Sequence, residues 1–378
     1  MNIHHAVCLI TVSLCIPTAY CEDADAAGVF RQQCAALAQN AEKTGSMVVA
    51  GNDGWLFLTG ELRHICAGKF WGREAPSVSK AVRAEAADPL PAILDFNAQL
   101  KKIGVKLLLV PVPPKAVIYP EMLPGFTNRN EKARLDIFHQ EFYALLRTNG
   151  VDVLDLTDLF LQNKDDSQCD KAANKNTAGR AFAASPSSSG QDGASPHENL
   201  YCRQDSHWSG QGCALAAQKI AAGIKPLLGG NAPQTNPFRS EWKTIEIAGD
   251  LWQVLNDRNI VREKTGIRRI FNSGAGEPAT PDGSGKIILL GDSHNLVFHA
   301  GDDMLFQGAG LPDQLAFELG FAVDLIAVRG SGATPARINL LRRARRNKDY
   351  WKSKKCVIWC FSAREFTESD GWRKAPIE

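Results

Sequence analysis

Residues 286–294 read KIILLGDSH, and their order decides the fold. Four apolar residues in succession, Ile287 to Leu290, suit a strand buried on both faces, as strands of parallel sheets are. Gly291 lets the backbone turn, and Ser293 then falls on a strand-to-helix turn that exposes its hydroxyl. In open α/β sheets, ligands bind beyond the carboxyl ends of the strands. A serine there can reach a ligand, and N–H groups at the start of a following helix can stabilise an oxyanion. The plainer reading of Ser293 is a helix N-cap.

Working outward, apolar runs at 105–110, 151–156, 323–328 and 356–361 are further expected strands. Helical spacing predicts helices over about 88–104 (Leu90, Ile93, Leu94, Leu100) and 131–148 (Leu135, Phe138, Phe142, Leu145). Two more are expected over about 209–228 and 335–350. Five apolar strands alternating with helices or long insertions imply an α/β fold. Its five-stranded sheet is mostly parallel, with helices on both faces. Residues 47–50 and 55–58 flank Gly51, Asn52, Asp53 and Gly54, a hairpin signal. Residues 229–284 are less regular. Residues 164–199, rich in Ser, Ala, Asn, Asp and Gly, read as a flexible insert. Neither a dinucleotide fingerprint nor a P-loop is present.

The chain has 378 residues, 44% of them hydrophobic, enough for one large domain or two ordinary ones. A formal net charge of +2, from 43 Lys and Arg against 41 Asp and Glu, argues against an obligate nucleic-acid binder. Residues 6–19 (AVCLITVSLCIPTA) are too short for a comfortable membrane span and precede Tyr20 and Cys21. They predict a secretory signal peptide over 1–21, an N-terminal segment over 22–44 and one domain over 45–378. The leader carries His4 and His5 but no Lys or Arg before its apolar run, so an uncleaved anchor is the alternative. Ten cysteines fit export to an oxidising compartment. They lack zinc spacing, and neither metal nor cofactor is expected. Removing 1–21 leaves seven: Cys34, Cys66, Cys169, Cys202, Cys213, Cys356 and Cys360. Cys169 and Cys202 flank the insert and are expected to pair across its base.

A nucleophilic serine needs a base. His207 stands in Asp205-Ser206-His207-Trp208. An Asp two residues before a His can fold back to accept its Nδ1 proton, leaving Nε2 for the serine. The plainer reading is an Asx-turn before the 209–228 helix, with His207 on the surface.

Together these residues resemble the SGNH-hydrolase-like domain of the alginate O-acetyltransferases of the AlgJ and AlgX type. Four stretches carry the resemblance: GNDGWLFL at 51–58, DSHW at 205–208, GDSH at 291–294 and VIWCFSAREF at 357–366. It spans about residues 45–368. It implies a flavodoxin-like three-layer α/β/α fold in circularly permuted motif order, since Asp205 and His207 precede Ser293. Ordinary SGNH hydrolases place the serine first. It also implies Ser293 as nucleophile, His207 as base and Asp205 as its orienting partner. The insert at 164–199 departs from the family core. With no C-terminal carbohydrate-binding module recognised, the chain looks closer to the AlgJ type.

The oxyanion donors expected are the N–H groups of Ser293 and of Gly330 or Gly332, in the loop after 323–328. Trp208, His294, Arg329 and Arg337 are expected substrate contacts, although Trp208 would suit the core equally well. Residues 337–355 hold nine Lys or Arg against one acid, Asp349, with Tyr350 and Trp351 among them. Such a face would attract an anionic polysaccharide, or it is simply a solvated helix face. The resemblance implies a periplasmic enzyme that acetylates an alginate-like polymer, supplied with acetyl groups by a membrane-bound acyl-transfer partner. A secreted carbohydrate acetylesterase and a non-catalytic polysaccharide-binding component of an export complex are the alternatives.

Overall fold

The computed structural model describes residues 18–127, 133–164, 199–229, 235–257, 259–274 and 276–378. Most of the expected leader, most of the insert and Cys169 lie outside the described residues. A helix, Thr18–Lys43, runs through the segment expected to follow the leader. No helix among the described residues is long and apolar enough to cross a membrane.

The hairpin signal is a hairpin. Val48–Ala50 (β1) pairs antiparallel with Leu56–Leu58 (β2). Gly54 takes φ +77°, a left-handed conformation that glycine adopts without strain.

All five expected strands form one sheet: Lys106–Val112 (β3), Asp152–Val153 (β4), Ile287–Gly291 (β7), Asp324–Ala327 (β8) and Cys356–Ser362 (β9). Between β4 and β7 come Phe238–Ile247 (β5) and Glu263–Asn272 (β6). These pair with each other as a ten-residue antiparallel ribbon in the stretch that looked irregular. The sheet order is β4-β3-β9-β7-β8, and every neighbouring pair is parallel. The last strand in sequence therefore lies at the centre, between β3 and β7.

Alternation along the central strands builds two cores. Ile287 and Leu289 face one side, with Ile358 and Cys360. There they meet Phe30 and Cys34 of the first helix, Ile220 of the helix Gly210–Ile224 and Leu315 of the helix Leu311–Leu319. Ile288, Leu290, Val357 and Trp359 face the other side. There they meet Phe96 of the helix Pro89–Lys102, Phe142 of Ile137–Thr148 and Leu340 of Thr334–Arg345. Each such aliphatic or aromatic side chain contributes about 1.5–3 kcal/mol by leaving water. The result is the three-layer α/β/α arrangement.

Three helix boundaries differ from expectation, and the helix expected over about 335–350 already ends at Arg345. The helix expected from 131 starts at Ile137, because Arg134 reaches across to Asp136 and Asp155 in an extended turn. The GDSH turn opens only a three-residue 3-10 turn, Ser293–Asn295, and the next α-helix begins at Leu311. Cys34, Cys66, Cys202, Cys213, Cys356 and Cys360 are free thiols. That of Cys202 points to the carbonyl of Trp208.

Candidate active site

Four strand ends converge at the carboxyl edge of the sheet. β7 leads into Ser293, β9 into Arg364, β8 into Gly330 and β3 into Lys115. Ser293, Arg364 and Gly330 line a cleft of about 240 Å³, with Asp205, His207 and Asp250 on its wall. A larger cavity of about 700 Å³ opens beside Lys286, Phe317 and Phe321. No histidine lines it, so no serine–histidine pair faces it.

Gly291 makes the serine turn possible. A Cβ there would sit 1.6 Å from the carbonyl oxygen of Cys360 on β9. Asp292 caps the 3-10 turn. Its Oδ1 accepts the His294 N–H at 2.9 Å and its Oδ2 accepts the Ser362 N–H at 2.7 Å. Burial opposes its charge, but His294 and these hydrogen bonds hold its carboxyl down at about 2. Asn295 donates to the Cys360 carbonyl at 2.8 Å. The turn is thereby bolted to β9, and Ser293 is fixed above it.

His207 lies on the loop before the helix Gly210–Ile224, whose N-cap is Ser209. Its Nε2 is 2.7 Å from Ser293 Oγ and its Nδ1 is 2.6 Å from Asp205 Oδ1. Asp205 also accepts the His207 backbone N–H at 2.9 Å and, through Oδ2, the Asp250 N–H at 2.8 Å. Burial opposes charge on both side chains, but their mutual attraction wins. The Asp205 carboxyl is held at about 2 and the imidazole is raised above the usual histidine value. Both are buried.

The loop has a second support. The buried Lys115 ammonium donates to the carbonyls of Leu56 (2.7 Å), Arg203 (2.9 Å) and Asp205 (3.1 Å), and lies over the Trp55 and Phe57 rings. The Leu56 N–H donates to the Arg203 carbonyl at 2.8 Å. The hairpin thus clamps the Asp-x-His loop, which gives GNDGWLFL a physical role.

The other expected contacts divide. No hydrogen bond engages the N–H of Ser293 or Gly330 among the described residues, and Gly330 lines the cleft. The Gly332 N–H is engaged by the Glu365 carboxyl, which burial and then Asp292 push up to about 8. Arg329 lines the cleft and pairs with Asp303 at 2.6 Å. His294 is buried between His207 and Trp208, with ring centroids 4.7 and 5.3 Å away. Burial lowers its pKa to about 4, so it is neutral. Trp208 is fully buried and takes the core alternative. Arg337 does not reach the cleft. It is buried behind the sheet, 5.1 Å from the Trp359 ring, and donates to the Arg373 carbonyl at 2.6 Å.

Besides Lys115, two site residues escaped the sequence reading. Asp250 accepts the Ser206 N–H at 2.7 Å and the Ser206 hydroxyl at 2.5 Å, bracing the loop from below. It comes from the stretch over 229–284 that reads as less regular. Arg364 stood inside the quoted VIWCFSAREF, directly after a strand, and position after a strand was its signal. Asp205, His207 and Asp250 also bring potential ligand atoms within 4.8 Å of one another. Each side chain is already hydrogen-bonded within the protein, which favours a proton-handling cluster over a metal cage.

A model of the SGNH hydrolase-like domain of the acetyltransferase AlgX matches residues 48–170 and 162–363. The chain belongs to this family. Among relatives, the probable alginate O-acetylase AlgJ of Pseudomonas aeruginosa is 28% identical over 179 residues, 47% of this chain and 33% of that protein. The protein of the same name from Pseudomonas syringae pv. tomato is 24% identical over 258 residues, 66% of this chain and 54% of its own length. The chain thus spans between a third and about half of these curated relatives. The O-acetyltransferase domain of Pseudomonas putida AlgJ has a TM-score of 0.54 at 20% identity, covering 85% of this chain and 92% of that one. Pseudomonas aeruginosa AlgX has a TM-score of 0.51 at 17% identity, covering 83% and 62%. These likenesses show that the AlgX-family member shares their fold.

Proposed function

We propose that this protein is an O-acetyltransferase that acetylates hydroxyls of an anionic, alginate-like polysaccharide through an acetyl-Ser293 intermediate. The observation that carries the reading is the hydrogen-bonded line from Asp205 through His207 to Ser293, at 2.6 and 2.7 Å. Ser293 Oγ attacks the carbonyl carbon of an acetyl donor while His207 Nε2 takes its proton. Asp205 stabilises the imidazolium, and the N–H groups of Ser293 and Gly330 receive the oxyanion. The donor's leaving group departs with the proton from His207. An acceptor hydroxyl then gives its proton to His207 and attacks the acetyl-serine, which restores Ser293.

Family membership supports transfer to a sugar over hydrolysis, because the triad serves either. The cleft is smaller than the ~300–1,000 Å³ of pockets that engulf a drug-sized ligand. A polymer would present one residue to it while the rest of the chain runs outside. Export to the periplasm, by the leader over 1–21 or with an anchor kept there, and a membrane-bound acetyl supplier belong to the same proposal.

A serine-directed sulfonyl reagent is expected to label Ser293. Ser293→Ala and His207→Ala should each lower acetyl transfer by about 10⁴-fold or more, read as acetyl content of the polymer. Purified protein that deacetylates the polymer in water and never acetylates it would make the protein an esterase. Unchanged polymer acetylation in cells carrying both variants would leave only a binding role.

A further inference from the structure

The loop that carries Gly330 is pinned at both ends. At its start the Val328 N–H donates to the Gly291 carbonyl at 3.0 Å, which ties it to β7 just before Ser293. At its end Gly332 packs so closely that a Cβ there would sit 3.0 Å from the Asp292 nitrogen. The Trp359 indole N–H donates to the Gly332 carbonyl at 2.8 Å. The Gly332 N–H and the Ser331 hydroxyl both donate to the Glu365 carboxyl, the hydroxyl at 3.3 Å. Between the pins, Gly330 takes a left-handed φ of +76° at the cleft. It has no side chain to hold it there, so its neighbours must.

Glu365 opens the short helix Glu365–Glu368 after β9 and is only 3% exposed. Burial pushes its carboxyl up to about 8, Asp292 of the serine turn adds to the rise, and Arg364 beside it opposes it. Near neutral pH it is therefore mostly uncharged. The acid of the triad is Asp205, and no step of the acetyl transfer derived above uses Glu365.

We propose that Glu365 is a positioning residue for the oxyanion: by holding Ser331 and Gly332 it aims the Gly330 N–H at the carbonyl oxygen of the acetyl group that Ser293 attacks. The inference rests on the acetyl-serine reading above and identifies what fixes its backbone donor in advance. Such a donor is worth most when it is already in place as charge develops. Uncharged, Glu365 accepts from the loop without opposing that charge. Ionised, it adds a second negative charge beside Asp292, behind the loop that has to stabilise the oxyanion, and like charges repel.

The test follows the burst of aryl group released when the full chain meets an aryl acetate, because the burst reports formation of the acetyl-serine. Glu365→Ala should slow the burst at saturating donor by about 10- to 100-fold, with the half-saturating donor concentration nearly unchanged, since the loss falls on the transition state. Glu365→Gln keeps an acceptor of the same shape and should recover most of that rate near neutral pH. As pH rises through about 8 the wild type should slow, whereas Glu365→Gln, which cannot ionise, should hold its rate. An alanine variant as fast as the wild type, a glutamine variant as slow as the alanine one, or a wild type and a glutamine variant that respond alike to alkaline pH would each overturn the inference. If Glu365→Ala does not fold, as judged by thermal melting, the alkaline comparison of wild type with Glu365→Gln decides. A wild-type burst that neither substitution changes sinks only this inference, whereas no burst in the wild type sinks the acetyl-serine reading as well.

Discussion

At the residue scale, the proposed acetyl transfer requires one buried imidazole to be neutral when it acts and charged just afterwards. Burial alone would push His207 below the usual histidine value, but Asp205 and Asp250 raise it above that value. A base must be deprotonated to act, so activity should fall as pH drops through this raised pKa. Asp205→Asn removes the main opposing charge. It should lower turnover by about 10³- to 10⁴-fold and move the acid limb of the pH–rate profile to lower pH. The sign for stability is separate. The Asp205 carboxyl sits at about 2, below its unfolded value of ~3.9. Its contribution is complete above the unfolded value and is lost as pH falls towards 2. Urea denaturation of the variant should therefore show a weaker loss of stability in acid than the wild type.

At the element scale, a small hairpin holds the Asp205–His207 loop from outside the sheet. Lys115, at the end of β3, satisfies carbonyls of both β2 and the Asp-x-His loop in a site with almost no water access. Lys115→Met keeps the stem over Trp55 and Phe57 but leaves three carbonyls without that donor. It should destabilise the fold by about 3 kcal/mol or more, measured by denaturant titration. Turnover should fall further than stability accounts for, because His207 loses its register with Ser293. The serine turn is equally intolerant, since Gly291 lies against the β9 backbone.

At the scale of the whole molecule, the basic stretch and the chemistry lie at opposite ends of the sheet. Lys355 precedes β9 and donates its N–H to the carbonyl of Lys286, just before β7, whereas Ser293 follows β7. Part of the stretch is consumed internally: Lys354 is buried on Asp324, and Arg343 pairs with the same acid. Arg345, Arg346 and Lys348 are exposed at the far end. Replacing all three with glutamine should leave turnover on short oligosaccharides within about twofold, checked by initial rates. A large loss would mean that the far end shapes the cleft.

Local order was written plainly in the chain. Unbroken apolar runs such as Ile287–Leu290 and Cys356–Phe361 bury themselves on both faces and were legible at once, whereas the 151–156 run, interrupted by Asp152 and Asp155, yields only the short, partly exposed edge strand β4. Asp205, His207, Ser293 and Gly330 could be named because each stands at a strand end or next to a turn. What the linear pattern could not carry was long-range pairing. The β5–β6 ribbon carries no alternating signal, because β5 is buried only at its two ends while β6 buries successive residues, Thr265, Gly266 and Arg268 among them, so it reads as irregular chain. Linear position cannot say which face of an element is covered, which is why the core alternative for Trp208 and the burial of Arg337 behind the sheet come only from the structure. The central place of β9, the Lys115 clamp, the bracing by Asp250 and the arrival of Arg364 beside Ser293 depend on strand order. That order is set by how two apolar cores close around the sheet, and only the tertiary structure decides it.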